Sequence, residues 1–263
     1  GKNFTMEYRF GENKGSERMP EIAAELVRLK LDLIIAVATP AALAAKSATT
    51  TIPILIVGAG DPVASGLVAN LARPGGNVTG FSTLGPELNT KRLEILKDAV
   101  PKLDRVGILQ PPGTGIISDL QLKELRAAAL ALKLKLEEIK TQPDAKSLER
   151  AFQTAKQKQV GAIMTIPTRP FLAERKRIVE LAVKYRLPAI YPNKEFVDAG
   201  GLMFYGADYA DMLRNAAQYV DKILKGAKPA DLPVQQPMRF EFIINLKAAK
   251  PIGLTLSPAF LSR

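Results

Sequence analysis

LIIAVATPAALAAKSATTTIPILIVGAGDPV, residues 33–63, decides the fold of this chain. Residues 33–37 and 54–57 are short apolar runs rich in Ile and Val, the pattern of strands buried on both faces. Between them residues 41–47 read as an alanine-rich helix, and a helix joining two buried strands is the crossover unit of a parallel sheet. The alternation continues in both directions. Further strands are expected at 4–10, 78–81, 106–109, 135–139, 162–166, 189–191, 202–205 and 240–245. The helix of 119–133 opens with Ser118 and Gln121 at capping-box spacing, and Asp144 stands ahead of the helix of 145–158. In 209–226 the apolar positions Met212, Leu213, Ala216, Ala217, Val220, Ile223 and Leu224 share one helical face, and Gly226 supplies the stop.

The chain of 263 residues is long enough for one large domain or two small ones. Hydrophobic residues at 47% and charged residues at 24% are ordinary globular values, so a disordered or fibrous chain is excluded. No apolar run reaches the roughly 18 residues of a membrane-spanning helix. Cysteine and histidine are both absent, which removes disulfides, thiolate and imidazole metal sites, cysteine nucleophiles and Ser-His-Asp hydrolysis. With 37 Lys and Arg against 26 Asp and Glu the formal charge is +11. These charges are interspersed with acids (Lys91, Arg92, Glu94, Lys97, Asp98) as on a solvated helix face, and no basic motif interleaved with aromatics points to nucleic acid.

The strand-end loops carry the candidate site residues, because ligands of open α/β sheets bind at the carboxyl ends of the strands. Thr39, Pro40 and Ala41 open a helix whose first amides favour a carboxylate or phosphate; the plainer reading is a βα turn capped by Thr39. Gly58-Ala59-Gly60 starts like a dinucleotide fingerprint, but Val63 stands where the third glycine belongs, and Gly113-Thr114-Gly115 lacks the Lys-Ser/Thr of a P-loop. Asp61 is either a ligand acceptor or a turn aspartate bonding its own backbone. Thr168, Arg169, Tyr191, Glu195 and Tyr205 sit at three later strand ends, where aromatic rings could sandwich a flat ligand or simply pack. Glu137 and Glu138 are adjacent on a strand and so point to opposite faces, which leaves no carboxylate pair for catalysis. The expectation is a binding protein, not an enzyme, without metal or cofactor.

Segments spanning nearly the whole chain resemble a known family: residues 22–46, IPILIVGAGDPVASGLVANLARPGGNVTGFS (52–82), KRLEILKDAVPKLDRVGIL (91–109), LPAIYPNKEFVDAGGLMFYGADY (187–209) and ILKGAKPADLPVQQPMRFEFIINLKAAKPIGLTL (223–256). The ordered set GDPV, LARPGGNVTG, ILKGAKPADLP and NLKAAK is similar to the substrate-binding proteins of bacterial ABC importers that include tryptophan and tyrosine binders. The resemblance implies a type I periplasmic-binding fold: two doubly wound parallel-sheet lobes, 1–103 with 206–238 and 104–205 with 239–263, and a ligand cleft between them. It implies a periplasmic protein that closes on a small solute by hinge motion and hands it to an ABC permease in the inner membrane. By position, Thr39, Pro40, Ala41, Gly60 and Asp61 resemble the lobe-one contacts, and Thr168, Arg169, Tyr191, Glu195 and Tyr205 the lobe-two contacts.

Two features depart from the family pattern. The strand and helix that normally precede the segment at Gly1-Lys2-Asn3-Phe4 are not in this sequence, which suggests a truncated chain, a start assigned too late, or strand exchange between chains. Arg169 stands where the family pattern carries an aspartate after Pro-Thr. That charge reversal disfavours an ammonium and favours a plain carboxylate or a second acidic group. The ligand is therefore expected to be an aromatic or other organic carboxylate, with aromatic amino acids close behind. The competing reading, a ligand-sensing domain of a regulator or receptor with the same fold, would call for a helix-turn-helix where residues 1–9 read as a strand.

Overall fold

The computed structural model describes residues 4–11, 17–112 and 115–262, with backbone alone at 115–118, 120 and 121. Gly1, Lys2 and Asn3, the loop at Gly113-Thr114, and the side chains of the expected Ser118–Gln121 capping box lie outside the described residues. In chain order the first elements are α1 (Met19–Arg28), β1 (Ile34–Val37), α2 (Thr39–Ala48), β2 (Ile54–Ala59), β3 (Val78–Ser82) and α3 (Gly85–Ala99). Then come β4 (Arg105–Gln110), α4 (Gly115–Ala131), β5 (Lys135–Lys140), α5 (Ala145–Gln157), β6 (Ala162–Thr165), α6 (Arg169–Ala173) and α7 (Arg175–Lys184). The last are β7 (Ala189–Tyr191), α8 (Glu195–Asp198), β8 (Met203–Ala207), α9 (Tyr209–Leu224), β9 (Phe240–Ile244), α10 (Leu246–Ile252) and α11 (Pro258–Leu261).

The chain divides into two compact units, Gly1–Leu84 with Tyr209–Pro237, and Gly85–Asp208 with Met238–Arg263. The sequence predicts a first crossing at 103/104, whereas the division falls at 84/85, ahead of α3. Packing decides this. Leu93, Ile95, Leu96 and Ala99 of α3 are buried in one core with Val106 and Ile108 of β4 and Met164 of β6.

In the first unit β1, β2 and β3 form a parallel sheet in that order, with Ile34 opposite Ile54 and Ile54 opposite Val78. One face packs on α2 through Ala42 and Ala45. Across the other runs α9, which contacts β2 and β3 and buries Met212, Ala216, Tyr219 and Ile223, four of its positions at helical spacing. Tyr219 meets Phe81 of β3 edge-to-face at 5.0 Å and donates its hydroxyl to the Pro233 carbonyl. At the edge strand β1, Ile35 and Val37 remain 41% and 44% exposed.

Residues 4–10, expected as a strand, form none. Among the described residues no strand pairs with them, and Phe4, Met6, Tyr8 and Phe10 are exposed. The segment is held to α1 through an ion pair from Arg9 Nε to Glu25 Oε1 at 2.8 Å.

The second unit carries the six-stranded sheet β5-β4-β6-β7-β8-β9, parallel except for β9, which runs antiparallel to β8. Its two faces bury separate clusters, one with α3, α4, α10 and α11 and one with α5, α7 and α8, which is the doubly wound arrangement. Asp144 caps α5 by accepting the Lys146 and Ser147 N–H groups, as its spacing predicts. Glu137 pairs with Arg105 and Lys158, while Glu138 pairs with Arg126; the two neighbours have separate partners, as adjacent strand residues must.

Candidate functional site

In the first unit the strand ends converge on a small polar cluster. α2 begins one residue after β1 closes, and its N-cap is Ala38, at φ +69 and without a side-chain cap. The Thr39 hydroxyl, expected as a cap, instead accepts the Gly60 N–H at 3.2 Å, which ties the loop after β2 to the start of α2. Ser82 Oγ donates to the Gly60 carbonyl at 3.4 Å, and the Thr83 N–H donates to the Ala59 carbonyl at 2.7 Å. Pro40 in the first turn of α2 lacks an N–H, leaving the amides around it aligned with the positive end of the helix dipole.

Asp61 follows the turn reading. Its Oδ1 accepts from the Val63 and Ala64 N–H groups at 3.1 and 2.9 Å. Asp61→Ala should therefore lower stability by about 1 kcal/mol, and Asp61→Asn, which keeps the acceptor, by less than about 0.5 kcal/mol. Thermal unfolding of the two variants checks this. Equal losses would show that the charge, not the turn, matters.

The end of β2 also brings in residues that sequence reasoning misses. Gly58 has φ +78, and a Cβ placed on it would stand 3.3 Å from Cε1 of Tyr209 and 3.6 Å from Cγ2 of Thr83. The glycine that looked like the start of a dinucleotide motif thus seats an aromatic ring. The only signal in the sequence was its position after a strand. In the sequence Tyr209 opens an amphipathic helix, and nothing in that periodicity tells where an N-terminal ring lies.

In the second unit Thr168 caps α6, accepting the Phe171 N–H at 3.4 Å. Arg169 is the first residue of that helix and is exposed, and among the described residues no carboxylate stands within ion-pair distance of its guanidinium. Tyr205 is partly buried, its ring stacked on Phe240 at 6.2 Å, and its carbonyl accepts from Arg92 Nε at 2.7 Å. Glu195 is exposed in the first turn of α8.

Tyr191 does not present a ring at a strand end. It is 1% exposed and lies stacked on Phe196 at 4.5 Å. The cause is position: β7 is flanked by β6 and β8, and Tyr191 belongs to the core shared with α7 and α8. Burial raises its phenol well above the ordinary tyrosine pKa.

No group of three or more His, Cys, Asp or Glu side chains that could hold a metal occurs among the described residues. No described helix is long and apolar enough to cross a membrane.

Two α/β units built on parallel sheets form the fold of the periplasmic binding proteins. The pattern of the ABC transporter substrate binding protein family matches residues 1–263, and the chain belongs to that family. The tyrosine-binding protein of Clostridioides difficile, strain R20291, is 30% identical over 261 residues, 97% of this chain and 72% of that protein. A conserved domain protein of Vibrio cholerae O1 biovar El Tor, strain N16961, superposes with a TM-score of 0.91 at 29% identity, covering 100% of this chain and 87% of that one. The ABC domain in complex with L-Trp from Streptococcus pneumoniae superposes with a TM-score of 0.83 at 28% identity, covering 94% and 84%.

Proposed function

We propose that this chain is the periplasmic solute-binding component of an ABC importer. It takes a small aromatic carboxylate by lobe closure and passes it to an inner-membrane permease. Family membership over the full chain supports the class, and the names of the tyrosine-binding relative and the L-Trp complex support an aromatic ligand. The observation that carries the ligand chemistry is Arg169, exposed at the start of α6 and without an ion-pair partner among the described residues. A guanidinium pairs with a carboxylate bidentately and repels an ammonium. The contacts proposed are Thr39, Pro40, Ala41 and Gly60 from the first unit, with Thr168, Arg169, Glu195 and Tyr205 from the second. Asp61 and Tyr191 support the site through the turn and the core that they hold.

A thermal-shift screen against L-tryptophan, L-tyrosine, phenylacetate, a dicarboxylate and a sugar tests the reading. A ligand at about 100 times its Kd adds about 2.7 kcal/mol to the folded state, which raises the midpoint by several degrees in a chain of this length. The expected result is a rise with the aromatic acids and none with the sugar. A rise with the sugar alone contradicts the proposal.

A further inference from the structure

We infer that Tyr209 is the aromatic platform of the first unit, the residue on which the ring of the ligand stacks. The inference rests on the proposed function and names the group that selects for a ring. Three observations carry it. Tyr209 is 43% exposed although it is a large side chain at the first position of a helix that otherwise packs on β2 and β3. Its ring is seated on backbone: Cε1 and Oη stand 3.3 and 3.4 Å from where a Cβ of Gly58 would be, and the φ of +78 at Gly58 is one that side-chain-bearing residues rarely adopt.

The third observation is the company the ring keeps. The space in front of the Gly58 Cα is bounded by both Tyr209 and Thr83, Thr83 bonds Ala59, and Ser82 and Thr39 both bond Gly60, so the ring joins the same cluster as the start of α2. The hydroxyls of Thr39, Ser82 and Thr83 are engaged in holding this loop. Within the cluster they fix the frame, and the exposed part of the Tyr209 ring is the apolar surface it offers. A half-exposed aromatic side chain packed on backbone is ordered before a ligand arrives, so little rotamer entropy is lost on stacking.

The test is calorimetric titration of phenylacetate and of cyclohexylacetate, its non-aromatic counterpart, into the parent chain and the variants Tyr209→Phe, Tyr209→Leu and Tyr209→Ala. Loss of the stack is expected to weaken phenylacetate binding by about tenfold in the alanine variant, to spare the phenylalanine variant, and to remove the parent's preference for phenylacetate in the leucine variant. If the alanine variant does not fold, the leucine variant, which keeps the apolar volume, carries the test. A parent that binds phenylacetate and a leucine variant with the same preference would overturn the platform while leaving the proposed function standing. A parent that binds neither acid overturns both.

Discussion

Gly80→Ala should lower the stability of the protein by about 4 kcal/mol or more, a fall of about 10 °C in the unfolding midpoint. Gly80 lies in the middle of β3, directly opposite Ile56 of β2, with φ +137. A Cβ there would strike the Ile56 carbonyl oxygen and stand 2.7 Å from its nitrogen and 2.9 Å from its carbonyl carbon. Backbone cannot swing aside as a long side chain can, so the two strands must part. The carbonyl of Gly80 also accepts the Gln235 N–H at 2.8 Å, and the neighbouring Thr79 hydroxyl donates to the Leu232 carbonyl at 2.6 Å. Separation of the strands would therefore also release the segment that follows α9. Thermal or urea unfolding reads the effect directly, and a parental midpoint would mean that β2 and β3 do not pair in this register.

Arg169→Asp is the second large expectation, and it acts on binding rather than on folding. The side chain is exposed at the start of α6, so its replacement should leave the unfolding midpoint within about a degree. Affinity for phenylacetate should drop by roughly 100-fold, because a charge-assisted pair of about 1.5–3 kcal/mol is lost and a repulsion takes its place. Aromatic amino acids should lose less, since the new carboxylate can meet their ammonium group. A variant that keeps the parent's order of preference between phenylacetate and L-tryptophan would remove Arg169 from the site.

Most of the sheet was legible because its strands are central and parallel. Runs such as Ile54–Val57 are apolar on both faces, short and rich in β-branched residues, which together favour a buried parallel strand over a helix. Residues 4–10 show where the rule fails. Alternation of Phe4, Met6, Tyr8 and Phe10 with polar residues describes a strand only if a partner supplies the ladder, and periodicity does not report the partner. The unit boundary was misplaced for a related reason: the helical face of α3 fits any sheet, and only the packing of Leu93 and Leu96 against β4 and β6 says which.

Site residues were legible where chemistry is local. The Asp61 turn is written in short-range spacing and appears in the structure, whereas Thr168, expected only as a ligand contact, caps α6. Tyr191 and Tyr209 are not local questions. Both are tyrosines near strand ends, yet one is sealed in a core and the other half exposed over a glycine. The difference lies in which strands flank β7 and in the register shift of β2 at Gly58, neither of which a pattern of residue types contains.

Calorimetric titration of the purified chain with phenylacetate, set beside L-tryptophan under the same conditions, separates a carboxylate site from an amino-acid site. Saturable one-to-one binding of phenylacetate is expected, at least as tight as that of the amino acid, because Arg169 pairs with the carboxylate and repels the ammonium. Binding of L-tryptophan with no detectable binding of phenylacetate would contradict it.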